Sequence, residues 1–153
     1  MIAFERATPD DAPALTEVQT RCFDDDARRF LDQPSGGPPG YDSEEWQVMI
    51  MQQAHAYYKI LDGEQIIGGI IVFQYGKSRY ELGRIYLDPD YQDRGIGTRA
   101  MQFVEGAYPD AEVWQLETPT WATRNQHFYE KLGYVKVSET GDDVNYEKQM
   151  PHQ

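Results

Sequence analysis

Hydrophobic positions along the chain switch between a period of two and a period near 3.6, and the switches divide it into elements. IAFER alternates as a short strand. TPDD after it reads as a helix start, with Thr8 as N-cap, Pro9 at the first helical position and acids in the first turn. Leu15, Val18 and Cys22 then share a face, and Asp24, Asp25 and Asp26 read as a solvated turn just after that helix. DQPSGGPPGYDS, too rich in proline and glycine for a helix or a central strand, predicts a long exposed loop of the kind that often carries function. Ser43 is placed to cap a second helix, in which Trp46, Met49 and Ile50 share a face.

AYYKIL, QIIGGIIVFQY and SRYELGRIYL predict three antiparallel strands, the first two joined by a tight turn at Asp62-Gly63. Gly68, Gly69 and Gly83 inside these runs predict bulges or close backbone approach. After the charged turn DPDYQDR a glycine stretch opens a helix whose apolar face is Ile96, Ala100, Phe103 and Val104, and EVWQLET is the next strand. With a helix between them, SRYELGRIYL and EVWQLET should run parallel. Thr123 and Gln126 form a T-x-x-Q capping box for a helix that runs through HFYEKL to Gly133, and YVKVSE and VNYEK predict a closing hairpin around TGDD. The pattern predicts an α/β (α+β) fold in one domain, residues 1–153.

Charge narrows the partners. With 14 Lys+Arg against 26 Asp+Glu the chain carries a formal charge of −12, which opposes binding to nucleic acid or to anionic membranes and leaves cationic acceptors as plausible partners. Cys22 is the only cysteine, so there is neither an internal disulfide nor a thiolate-rich zinc site, and a reducing compartment fits. The start lacks a basic region followed by an apolar stretch, no run is long enough for a membrane span, and a cytoplasmic protein is expected. The three histidines are scattered and no G-x-S-x-G or H-E-x-x-H occurs, so hydrolase and zinc-enzyme readings have no residues to stand on; no metal is expected.

QDRGIGTRA, residues 92–100, contains a G-x-G-x-x-A string of the dinucleotide-fold type. Against that reading, the charged turn separates the preceding strand from the first glycine, and about ninety residues of other structure come before it. A calcium loop fails because Asp93 stands where glycine is needed and Arg99 where an acid is needed, and no G-x-x-x-x-G-K-S/T string exists. What remains is a turn that aims free backbone N–H groups and a helix N-terminus at one point, an anion site to which Arg94 adds charge and Thr98 a hydroxyl.

Q-x-x-G-x-G after a strand ending in Y-L-D-P, followed by F-Y-E-K-L-G-Y on a later helix, resembles the GNAT superfamily of acetyl-CoA-dependent N-acetyltransferases, and the order of elements agrees over nearly the whole chain. The resemblance implies a mixed, mostly antiparallel sheet of six to seven strands with helices on both faces, splayed between the fourth and fifth strands so that the pantetheine arm of acetyl-CoA lies in the gap. Backbone groups of Ile85, Tyr86 and Leu87 would bind that arm, Arg94, Gly95, Gly97 and Thr98 would hold the diphosphate, and Gln92 and Ile96 of the same stretch would also belong to the coenzyme site. Asp93 departs from the family's small or basic residue and is expected to point away from the phosphates.

The same resemblance implies direct acetyl transfer to an amine. Glu81, eleven residues before Gln92, matches the spacing at which some members carry a general base; the alternative is an acid on the solvent face of its strand. Tyr129 matches the tyrosine that protonates the departing thiolate, or else is a core residue with a satisfied hydroxyl. Asn125, one helical turn before Tyr129, is either a pantetheine ligand or a helix-start residue, since the family's usual asparagine position is Ala122 here. Residues 22–46, where the family shapes its acceptor site, hold seven acids together with Phe23, Tyr41 and Trp46, which predicts a small cationic or polyamine-like acceptor. Protein or peptide acetylation, and a catalytically silent coenzyme-A-binding module, are the alternatives. A homodimer is the assembly that the resemblance suggests.

Overall fold

A computed structural model describes residues 1–151. Seven strands, β1 (Ile2–Arg6), β2 (Ala56–Asp62), β3 (Gln65–Tyr75), β4 (Arg79–Leu87), β5 (Val113–Pro119), β6 (Val135–Thr140) and β7 (Asp143–Gln149), form one sheet in the order β1-β2-β3-β4-β5-β7-β6. Every neighbouring pair is antiparallel except β4 and β5. Four α-helices, α1 (Ala12–Phe30), α2 (Glu44–Gln53), α3 (Ile96–Ala107) and α4 (Thr123–Lys131), cover the sheet. Leu15, Val18 and Cys22 of α1 and Ile50 of α2 pack with Tyr57, Ile71 and Tyr86 on one face. Ala100, Met101 and Val104 of α3 and Tyr129 of α4 pack with Ile70, Val72, Trp114 and Tyr146 on the other.

The feature that positions everything else is the parallel pair. β4 and β5 are in register only at Arg79–Val113, Tyr80–Trp114 and Glu81–Gln115, and after that the two strands part. The cause lies in Gly83, where the β3–β4 register slips by one residue: an inserted residue kinks a strand and turns it away from its neighbour. Only glycine fits there, because a Cβ at position 83 would run into the Phe73 ring. Gly68 is equally constrained, against the Tyr86 carbonyl oxygen, and Gly69 lies under the Tyr86 ring. The predicted close approach at these glycines is thus present at all of them.

Four local expectations need correction. The turn between β2 and β3 is Gly63-Glu64, since Asp62 still pairs with Gln65 and Gly63 supplies the positive φ of 62°. Asp24, Asp25 and Asp26 lie inside α1, not after it, because Ala27, buried to 2% exposure, keeps the apolar face going for another turn. In α2 the inward residues are Ile50, as expected, and Gln47, fully buried against the Tyr57 hydroxyl, whereas Met49 is exposed. The Thr123–Gln126 capping box does not form: Ala122 is the N-cap, and the Gln126 amide instead donates to the carbonyls of Pro119 and Thr120 at 3.0 and 3.1 Å. Gly133, at φ 96°, does end α4 as expected.

Candidate active site

Where β4 and β5 part, a cavity of about 280 Å³ opens, bounded by the second half of β4, the end of α1, the N-terminus of α3 and α4. It gathers Ile85, Tyr86, Leu87, Gln92, Gly95, Gly97, Thr98, Asn125, Tyr129 and Phe23 of the residues expected in a site. Others fall outside it. Ile96 is buried in the core, Arg94 is exposed with its guanidinium over the Tyr91 ring at 5.2 Å, and Tyr41 and Trp46 form a layer behind Phe23. Glu81 is the last β4 residue in register with β5, at the vertex of the split, where its carboxylate accepts from the Tyr75 hydroxyl at 3.1 Å and the Gln115 amide at 3.4 Å.

The α3 end of the cavity is built to receive an anion. The first N–H groups of a helix have no carbonyl partner within it, and here they belong to Ile96, Gly97 and Thr98. Gly95 caps them in the left-handed conformation, φ 78°, and nothing lies within 4 Å of where its Cβ would be. The turn before it is held firmly: buried Asp88 takes the Arg21 guanidinium at 2.6 Å and the Asp90 amide at 2.9 Å. Asp93 lies at the cavity wall, exposed and in a left-handed conformation, φ 63°, that side chains other than glycine adopt at some cost.

The side chain of Gln92 faces inward. It donates to the Leu87 carbonyl at 3.3 Å and accepts from Arg124 at 3.1 Å, and the other arm of Arg124 reaches Asp26 at 3.0 Å. Burial pushes the Asp26 carboxyl above the usual carboxylate range, and the adjacent Arg124 pulls it partly back. Asp26, Arg124, Cys22, Ile60 and Phe128 complete the lining; Arg124 and Ile60 were not singled out by the sequence, and Asp26 only as one of the seven acids of residues 22–46. The Asp26–Arg124 pair joins residues 98 positions apart, so no local spacing announces it.

Tyr129 is 7% exposed, and no hydrogen bond to its hydroxyl exists among the described residues, although its ring lines the cavity. Burial alone raises its pKa, so the phenol keeps its proton at any ordinary pH. At the vertex, Glu117 follows Gln115 on the same side of β5 as Glu81, and partial burial, with Asp143 and Glu81 adding like charge, pushes its carboxyl up. The loop between α1 and α2 is anchored as well as exposed. Asp24 accepts from the Gly36 amide at 3.0 Å and the Tyr41 hydroxyl at 2.8 Å, and the Gln19 amide donates to the Tyr41 carbonyl at 3.0 Å.

The arrangement can therefore bind an anion at one end, an extended chain along the unpaired edge of β4, and a reacting group near the vertex. Comparison with known proteins agrees. The model of the acetyltransferase (GNAT) family matches residues 13–134. The uncharacterized protein YrkN of Bacillus subtilis (strain 168) is 25% identical over 134 residues, which cover 87% of this chain and 72% of YrkN. In fold the chain is similar to the PaiA N-acetyltransferase of Thermoplasma acidophilum solved in complex with coenzyme A, with TM-score 0.82, 19% identity and coverage of 98% and 99% of the two chains. It is also similar to the ribosomal-protein-S18-alanine N-acetyltransferase of Escherichia coli, with TM-score 0.79, 16% identity and coverage of 100% and 96%.

Proposed function

The chain belongs to the acetyltransferase (GNAT) family, and on that premise we propose that it moves the acetyl group of acetyl-CoA directly onto the primary amine of a small, cationic acceptor. The observation that carries this reading is the cavity itself, which runs from the free amides of α3 to the unpartnered hydroxyl of Tyr129. The diphosphate of the donor would lie on the amides beside Gly95, Gly97 and Thr98, where the open space over Gly95 admits it. The pantetheine arm would follow Ile85, Tyr86 and Leu87, with Asn125 opposite. The thioester then comes to the vertex of the split, since the strand from Leu87 back to Leu82 spans roughly 17 Å.

At that vertex Glu81 would take a proton from the acceptor's ammonium, directly or through water. The free amine attacks the thioester carbonyl, and the C–S bond breaks as Tyr129 hands its proton to the departing thiolate. The second proton, shed by the new amide nitrogen, returns to the Tyr129 phenolate through water, while the proton on Glu81 leaves to solvent. An alkylammonium has a pKa of roughly 10, so the base matters most at neutral pH. Glu81 and Glu117 also attract the ammonium. Asp24 is engaged in holding the loop, Asp25 lies 3.5 Å from Arg29, and Asp26 pairs with Arg124, so the acids around residues 24–26 support a polyamine-like acceptor less than their number suggests. The anchored loop walls the acceptor side and favours a small molecule over a protein segment. Supply of acetyl-CoA and the single thiol fit a reaction in the cytoplasm.

The test is release of thiol from acetyl-CoA over a panel of polyamines, amino acids and peptides. Parent protein should turn over at least one small amine. Glu81→Gln should lower kcat/KM by about 10²-fold at pH 7, with the deficit shrinking toward pH 10 as the amine deprotonates unaided. Coenzyme A binding with no turnover on any amine would instead indicate a silent binding module.

Asp93 supplies a second check on the anion end. Asp93→Gly relieves a left-handed conformation worth about 1 kcal/mol and removes a carboxylate at the cavity wall near the free amides. The variant should melt about 2 °C higher and bind coenzyme A several-fold more tightly by calorimetry. Unchanged affinity would mean that the carboxylate points into solvent.

A further inference from the structure

One cation on the acceptor side has no anion. Among the described residues, three arginines are half-buried, Arg79, Arg84 and Arg124. Arg79 pairs with Glu147 at 3.3 Å and Arg124 with Asp26 at 3.0 Å. Arg84 has no carboxylate partner, in a chain where acids outnumber Lys and Arg by 26 to 14. The ionisable groups acting on its charge are Tyr57 and Tyr86, whose hydroxyls burial keeps protonated, so neither neutralises it. A half-buried guanidinium left without an anion is unfavourable unless something arrives to complete it.

Its surroundings hold it ready. Arg84 pairs with Ile71 across β3 and so lies on the α1/α2 face of the sheet, the face that also carries Glu81 on the other side of the Gly83 bulge. The guanidinium sits over the Trp46 ring at 4.4 Å and beside the Phe23 ring at 5.6 Å, and Phe23 lines the cavity. One N–H donates to the Gln19 side chain at 3.2 Å, and Gln19, fully buried, is fixed in turn by the Tyr41 carbonyl. Stacking fixes the plane of the fork and Gln19 fixes its rotation, while the remaining N–H donors have no protein acceptor among the described residues. Such a pre-set planar fork matches a carboxylate in two parallel hydrogen bonds. A single cation among this many acids suits a singly charged carboxylate better than a phosphate dianion.

We propose that Arg84 binds a carboxylate on the acceptor, which makes the substrate an amino acid or a close zwitterionic relative, with its amine toward Glu81 and its carboxylate toward Arg84. The proposal rests on the acetyl-transfer reading and replaces its cationic acceptor with a zwitterionic one: an acceptor that is only polycationic would leave Arg84 unpaired and repelled. Tyr41 and Trp46 thereby acquire a role at one remove, positioning Arg84 through Gln19 and through the stacked indole, without touching the cavity.

The experiment pairs amino acids with their amides and their decarboxylated amines, measuring thiol release with acetyl-CoA and, separately, acceptor binding to the coenzyme-A-loaded protein by calorimetry. The parent should prefer the carboxylates by about 10²-fold in kcat/KM. Arg84→Gln should raise KM for the carboxylates at least tenfold and abolish the preference, with KM for acetyl-CoA unchanged, and Arg84→Lys should restore part of it. Turnover of polyamines or amides as good as that of the amino acids, or an equal loss on both classes in Arg84→Gln, would overturn the role of Arg84 and leave acetyl transfer standing. Arg84-dependent binding of amino acids with no thiol release would uphold the carboxylate site and remove the transferase reading. Absence of both binding and turnover would sink the two together.

Discussion

Replacing Tyr129 with phenylalanine should lower kcat by about 10²- to 10³-fold while leaving coenzyme A affinity and stability nearly unchanged. The asymmetry follows from what the hydroxyl does in the folded protein. The ring packs between Phe128 and Tyr134, at centroid distances of 5.3 and 6.0 Å, and phenylalanine keeps those contacts. The hydroxyl makes no protein hydrogen bond among the described residues, so its removal breaks none and leaves no partner orphaned. What would be lost is the proton that the proposed mechanism has Tyr129 hand to the departing thiolate. Because burial raises the pKa of Tyr129, the acid form persists into alkaline solution, and the parent should show no alkaline limb in kcat attributable to this residue. Stopped-flow or steady-state thiol release across pH 6–10, with melting curves for both proteins, checks both statements. Activity within twofold of the parent would return Tyr129 to the core as a packing residue.

Removal of the Arg124 side chain should be the most destabilising single change at the site. Asp26 is 9% exposed at its side chain and Arg124 35%, so Arg124→Ala strands a buried carboxylate. Complete loss of a buried partner costs about 3–5 kcal/mol, and the partial exposure of Arg124 brings the expectation down to about 2–3 kcal/mol. The pH dependence has a definite sign. Asp26 is already raised above its unfolded value by burial, and without Arg124 it rises further. The folded variant then holds a proton that the unfolded chain releases, so its stability falls as pH rises through the raised pKa. Urea denaturation should therefore find the deficit large at pH 8 and much smaller at pH 5, with Asp26→Asn in the same background recovering most of it. A deficit equal at both pH values would place the loss in packing or in the Gln92 contact. That contact predicts a second effect, weaker coenzyme A binding, because Arg124 also orients the Gln92 side chain.

Much of this architecture was legible in the sequence wherever one local signal dominated. The hairpins from Ala56 to Leu87 follow from alternation broken by Gly63 at positive φ. The anion end of α3 follows from Gly95 and Gly97 before an amphipathic run. Failures came where a contact distant in sequence outweighed the local pattern. Gln47 is turned inward by the Tyr57 hydroxyl, and Gln126 is drawn from its box by the carbonyls that end β5. The acids of residues 24–26 look like a solvated cluster until the folded chain brings Gly36, Arg29 and Arg124 to them.

Alone, the sequence determined the order of elements, the parallel β4–β5 pair and the glycine turn that opens α3, because each depends on backbone geometry that a few neighbouring residues dictate. The tertiary structure decided which charges are satisfied. Asp26 finds Arg124 across the chain and Arg84 finds no carboxylate among the described residues, and no periodicity encodes either outcome. The second depends on the bulge at Gly83, which turns Arg84 onto the same face of the sheet as Glu81 just past the point where β4 leaves β5.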